Sequence, residues 1–152
     1  MFRKLIATSA SLVPLPIRLS LGVVMVAHGA QKVLGLWGGP GFKAFIAGET
    51  PFGFMKPAWF WLAAAALSEL VGGLLVGLGF LTRVAAFFIA CTMLTAVVGV
   101  HWNNGLFGSN RGFEYPLTLL AMAIALLISG GGQASIDRAL SGSGGGSGGR
   151  RR

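Results

Sequence analysis

Four long apolar stretches dominate this chain, and a helix crossing a bilayer needs about 20 such residues at a rise of about 1.5 Å each. The windows run from about Pro14 to Leu34, Ala58 to Leu78, Val84 to Val100 and Tyr115 to Ile128. Apolar residues make up 54% of the 152-residue chain and charged ones only 11%, against about 25% charged in a soluble domain. A water-facing surface cannot be built from that composition, whereas in lipid an outward Leu carries no penalty. The expectation is an all-α membrane protein, a bundle of four transmembrane helices occupying residues 1–140.

Local signals support those limits. Pro14 and Pro16 suit a first helical turn, as do Pro57 and Pro116, because the missing N–H is unpaired there in any case. Only Gly79-Phe80-Leu81-Thr82-Arg83 separates the second and third windows, so those helices should form an antiparallel hairpin. The first loop holds Gly38-Gly39-Pro40-Gly41 followed by Phe42, Phe45, Phe52 and Phe54, which predicts a short interfacial or re-entrant piece. The first apolar run lacks a small-x-small cleavage site and continues into His28-Gly29-Ala30-Gln31-Lys32. It is therefore expected to remain in the mature chain. Residues 141–152, rich in Gly and Ser and ending in Arg150 to Arg152, read as a flexible tail.

The formal charge of +8 arises from Lys and Arg scattered singly at segment ends, which argues against nucleic acid as a partner. Arg3, Lys4, Arg18, Arg83, Arg138 and Arg150 to Arg152 share one side, eight against Lys32, Lys43, Lys56 and Arg111 on the other. By the positive-inside rule both termini are expected in the cytoplasm. Cys91, the single cysteine, permits neither an internal disulfide nor a cysteine metal site.

An ionisable side chain at mid-membrane depth costs about 2.5–3.5 kcal/mol on insertion scales. Glu69, deep in the second window, must therefore face the interior. It is either a neutral carboxyl hydrogen-bonded to a neighbouring helix or a proton relay or ligand contact. His28, Gln31 and Lys32, at i, i+3 and i+4, share one helical face and suggest the wall of a polar site. His101, Asn103 and Asn104 end the third window, and Glu114 and Tyr115 open the fourth, on the same outer side. Glu69, His28 and His101 are the candidate catalytic groups; Gln31, Lys32, Asn103, Asn104, Glu114 and Tyr115 are candidate ligand contacts. No helix carries a His-x-x-x-His or Glu-x-x-His pair, so neither metal nor haem is expected. Trp102, Phe107, Phe113 and Tyr115 also suit an interfacial aromatic belt. Gly73 and Gly77, with Gly22 and Gly29, suit close helix packing.

Taken in order, these pieces resemble the DoxX family of small four-helix membrane proteins. The resemblance covers about Arg18 to Leu140. It rests on Arg18-Leu19 with Gly22, His28-Gly29-Ala30-Gln31-Lys32, Glu69-Leu70-Val71-Gly72-Gly73, Gly79-Phe80-Leu81-Thr82-Arg83, Val100-His101-Trp102-Asn103-Asn104-Gly105, Glu114-Tyr115-Pro116 and Ser135-Ile136-Asp137. It implies a bacterial inner-membrane protein associated with redox assemblies; relatives include a subunit of a thiosulfate:quinone oxidoreductase and a membrane component found with superoxide-detoxifying and sulfur-transfer enzymes. The resulting expectation is a membrane subunit holding a quinone or small redox-active ligand, working with other membrane, periplasmic or cytoplasmic redox subunits or as a homo-oligomer. A non-catalytic scaffold and an oligomeric small-solute permease are the alternatives.

Overall fold

The computed structural model describes residues 6–142. Arg3, Lys4, Arg150 to Arg152 and most of the Gly/Ser-rich stretch lie outside the described residues. Within them the chain is all-helical, with no strand. Helix α1 spans Pro14–Leu34, with proline in its first turn and Gly35 in the left-handed conformation at φ 70 behind it, a position where glycine has no Cβ penalty. A 3-10 turn, Leu36–Gly38, leads into the short helix α2, Gly41–Ile46, and the chain bends by 96° between them and α1.

Helix α3 covers Ala58–Leu78. It ends in paired turns, the Gly79 N–H donating to Val76 and the Phe80 N–H to Leu75, the glycine-dependent motif that satisfies the last carbonyls of a helix. Helix α4, Thr82–Thr95, continues as a π-helical segment, Ala96–His101, and a 3-10 turn, Trp102–Asn104. Helix α5 spans Glu114–Ser129, and α6, Ile136–Gly142, closes the described chain. The α-helical part of the third segment is thus shorter than its apolar window, because the backbone changes pitch before His101; α6 carries helix two residues into the stretch read as coil.

Helices α1, α3, α4 and α5 pack as a ring, α1 on α3, α3 on α4 and α4 on α5, with α5 meeting α1 across the least extensive of the four seams. Glycine permits the tight α1–α3 approach: a Cβ on Gly29 would collide with the Leu70 backbone, and one on Gly73 would come within 2.8 Å of Met25 and Val26. The core includes Leu21, Met25, Val76, Ile89, Met93, Leu119 and Leu126, while Val23, Leu78, Phe88 and Ile128 face outward. Helix α3 and the stretch Thr82–Asn104 are each long and apolar enough to cross a membrane. Helix α1 meets that criterion together with its bent continuation, and α5 is apolar but shorter.

At the end of the ring opposite His28 and Lys32, Asp137 caps α4 from a distant part of the chain. Its carboxylate accepts from the Leu81 N–H at 2.8 Å, the Thr82 N–H at 2.9 Å and the Thr82 hydroxyl at 2.7 Å, filling orphan donors at a helix start. Arg18, buried rather than lying free at the interface, donates to the Ala134 carbonyl at 2.7 Å. Arg83 reaches the carbonyls of Ala7 and Ile128. Arg18 and Arg83, both among the eight cations counted on one side, therefore also tie the chain's described ends to the ring.

Candidate functional site

Glu69 sits midway along α3 on the face turned to α1, one residue before the Leu70 backbone that Gly29 abuts. That close approach carries Lys32, one turn beyond His28, to the carboxylate. Its Nζ lies 2.5 Å from each oxygen, with Glu69 almost fully enclosed and the Lys32 side chain 25% exposed. The two residues form a salt bridge, so the helix that partners the Glu69 carboxyl is α1. Two charges out of water require such mutual contact, since either alone would be uncompensated. The Phe45 ring of α2 stands 5.3 Å from the same ammonium, a cation–π distance, so the 96° bend places an aromatic roof over the pair.

The pair opens on a cavity of about 230 Å³ lined by Met25, His28 and Lys32 of α1, Glu69 of α3, Met93 and Ala96 of the α4 segment with His101 at its π-helical end, and Tyr115, Pro116 and Leu119 of α5. Across its α1–α5 edge the His28 Nε2 and the Tyr115 hydroxyl are 3.2 Å apart, their rings 5.9 Å between centroids. On the α4 side, His101 Nδ1 lies 2.6 Å from the Arg111 carbonyl oxygen. A carbonyl only accepts, so Nδ1 carries a proton, which in the neutral form of the ring leaves Nε2 as an acceptor. π-helical turns recur at functional sites, and here one delivers an imidazole.

Of the nine sequence candidates, Glu69, His28, His101, Lys32 and Tyr115 share this cavity, and the other four do not line it. Asn104 donates to the Arg111 carbonyl at 3.2 Å beside His101. Glu114 accepts from the Gly108 N–H at 2.5 Å, ordering the loop between α4 and α5, where Trp102 stacks on Phe113. Gln31 lies one residue from Lys32 around the α1 circumference, its backbone against Gly39, and Asn103 is exposed in the 3-10 turn. The apolar walls, Met25, Met93, Ala96, Pro116 and Leu119, went unread because nothing in an apolar run distinguishes a cavity wall from a core contact. A second, almost entirely apolar groove runs outside the ring between α1 and α3, with Val23, Val26, Gly77 and Trp37 among its lining.

What this arrangement can do chemically is bounded by its groups. Lys32 donates, Glu69 and His101 Nε2 accept, and the His28–Tyr115 pair does either, all against apolar walls. That set can both donate and accept hydrogen bonds within an apolar enclosure.

Comparison with known proteins places the chain. The DoxX family profile matches residues 13–102. The Bacillus subtilis (strain 168) protein "Putative oxidoreductase CatD" is 30% identical over 110 residues, 72% of this chain and 75% of that protein. An uncharacterized protein of Haemophilus influenzae is 29% identical over 102 residues, 66% of this chain and 68% of its own length. No solved structure matches. With more than half its length within the family profile, the chain belongs to the DoxX family.

Proposed function

We propose that the protein is a multi-pass component of a bacterial inner-membrane oxidoreductase assembly, and that its cavity holds a quinone or a small redox-active ligand of similar shape. In this reading α1, α3, α4 and α5 each cross the bilayer with both chain ends in the cytoplasm. Even the 16-residue α5 reaches about 24 Å at 1.5 Å per residue, most of a hydrocarbon core of about 30 Å.

The observation that carries the reading is the Lys32–Glu69 pair, enclosed yet open to a cavity whose other polar groups are two imidazoles and a phenol. A quinone bound there would supply electron transfer coupled to proton uptake and release. Lys32 would donate to a carbonyl oxygen of such a ring, while Glu69 and His101 Nε2 would accept from its hydroxyls. The residues fit that group. At about 230 Å³ the cavity is smaller than the roughly 300–1,000 Å³ that encloses a drug-sized ligand, so it suits a ring-sized head. The name of the Bacillus subtilis relative points the same way.

Gently solubilised protein should carry extractable quinone at a constant ratio to chain. That content should fall at least tenfold in Glu69→Gln and His28→Ala with the helical spectrum retained. Unchanged content in both variants, or none in the parent protein, contradicts the reading. Collapse of the fold in both favours a scaffold, and solute flux into loaded liposomes favours a permease.

A further inference from the structure

We propose that the cavity is loaded from the lipid, through the seam between α1 and α5, with the His28–Tyr115 contact as its latch. Its ligand is then an amphiphile whose polar ring enters while its apolar tail stays in the bilayer. This rests on the cavity being a ligand site, as proposed above, and adds the route and the ligand class.

Three sides of the cavity are closed by packing. Helix α1 lies on α3 through a glycine contact that leaves no gap at Gly29, and the apolar groove that Gly73 and Gly77 line opens on the outside of the ring. Helix α3 is joined to α4 by the Ser68–Thr92 hydroxyl pair at 2.6 Å and by Ile89 against Gly72, and α4 packs extensively on α5. The outer end is roofed as well. Phe45 stands over the Lys32 ammonium, His101 and Asn104 both hold the Arg111 carbonyl, and Pro51 and Phe52 lie against Gly99 of the π-helical segment.

The α1–α5 seam is different. It is the least extensive of the ring, and the polar bond that spans it is His28 to Tyr115 at 3.2 Å. Tyr115 is also the exposed member of the cavity lining, 48% accessible, while Met25, Glu69, Met93 and Leu119 are buried. A single side-chain hydrogen bond between a partly buried imidazole and a half-exposed phenol is a slight closure. Side-chain hydrogen bonds between membrane helices are weak, which permits thermal opening on the timescale of side-chain and helix motion. The cavity's small volume argues for the same ligand class, because only a ring is accommodated and any tail must remain outside.

Carbodiimides test this without requiring the natural ligand. The full-length protein in liposomes is treated with dicyclohexylcarbodiimide, which partitions into the bilayer, or with a water-soluble ethyl(dimethylaminopropyl)carbodiimide. Modification of Glu69, as its acylurea or as an amide to Lys32, is followed by peptide mass spectrometry. The lipid-borne reagent should react at least tenfold faster. Tyr115→Phe should raise that rate about three- to fivefold, more than Phe45→Ala, which opens the roof instead of the seam. Equal or faster reaction with the water-soluble reagent, or acceleration by Phe45→Ala but not by Tyr115→Phe, overturns the proposal. Should Tyr115→Phe not fold, the contrast between the two reagents on the parent protein decides alone. Saturating decyl-benzoquinone separates the two claims: protection of Glu69 supports both, and no protection with the reagent contrast intact removes the quinone and keeps the lipid route.

Discussion

Lys32 of α1 and Glu69 of α3 meet as a two-oxygen ion pair, the ammonium 2.5 Å from each carboxylate oxygen, at the edge of a cavity lined by two histidines and a tyrosine. The pair joins the two most extensively packed helices of the ring, and its members differ in escape. Glu69 is 2% exposed, whereas a quarter of the Lys32 side chain is accessible.

That difference predicts an asymmetry between the two deletions. Lys32→Met leaves a carboxyl enclosed without its partner and should destabilise the protein by about 3 kcal/mol or more. Glu69→Gln should cost less, because the lysine stem lets its ammonium reach the interface. Lys32→Met/Glu69→Leu should recover most of the loss. Thermal unfolding of the three variants in one detergent checks the order.

The glycines of α1 and α3 divide by what a methyl group would meet. Gly29→Ala drives Cβ into the Leu70 backbone and should cost about 1–3 kcal/mol, as overpacking does. Gly77→Ala meets nothing within 4 Å, and should stay within about 0.5 kcal/mol. Equal effects in an unfolding assay would mean that the two helices do not approach as closely as described.

Asp137 carries the contacts at the end of the ring away from the cavity. Asp137→Ala strands the Leu81 and Thr82 N–H groups and the Thr82 hydroxyl, and should lower stability by about 2 kcal/mol. It should also release α6, so that limited proteolysis cuts between residues 130 and 142 first. Asp137→Asn, which keeps one acceptor oxygen, should lie between the two.

Class and family were legible in the sequence for physical reasons. Long apolar runs with so few charges have lipid as their natural solvent, and short motifs in a fixed order identify a family even though each alone is weak. Glu69 stood out because a carboxylate inside an apolar helix needs a partner. The partner's identity was not legible. Helical periodicity puts His28, Gln31 and Lys32 near one face, but how far α1 is rotated against α3 decides that Lys32 reaches Glu69 while Gln31 stays off the cavity. The π-helical turn before His101 and the 96° bend that brings Phe45 over Lys32 are set by tertiary packing, and no local propensity announces them. Asp137 was visible only as part of a motif, since it caps α4 from 55 residues away.

The central claim is that a redox-active ring occupies the cavity beneath Lys32. Photolabelling with a photoreactive azido-benzoquinone, followed by peptide mapping, tests it most directly. Adducts should fall on segments 25–32, 93–101 and 115–119 and vanish in Glu69→Gln. Labelling confined to the outer α1–α3 groove around Val23 and Leu74, or labelling indifferent to Glu69, would contradict it.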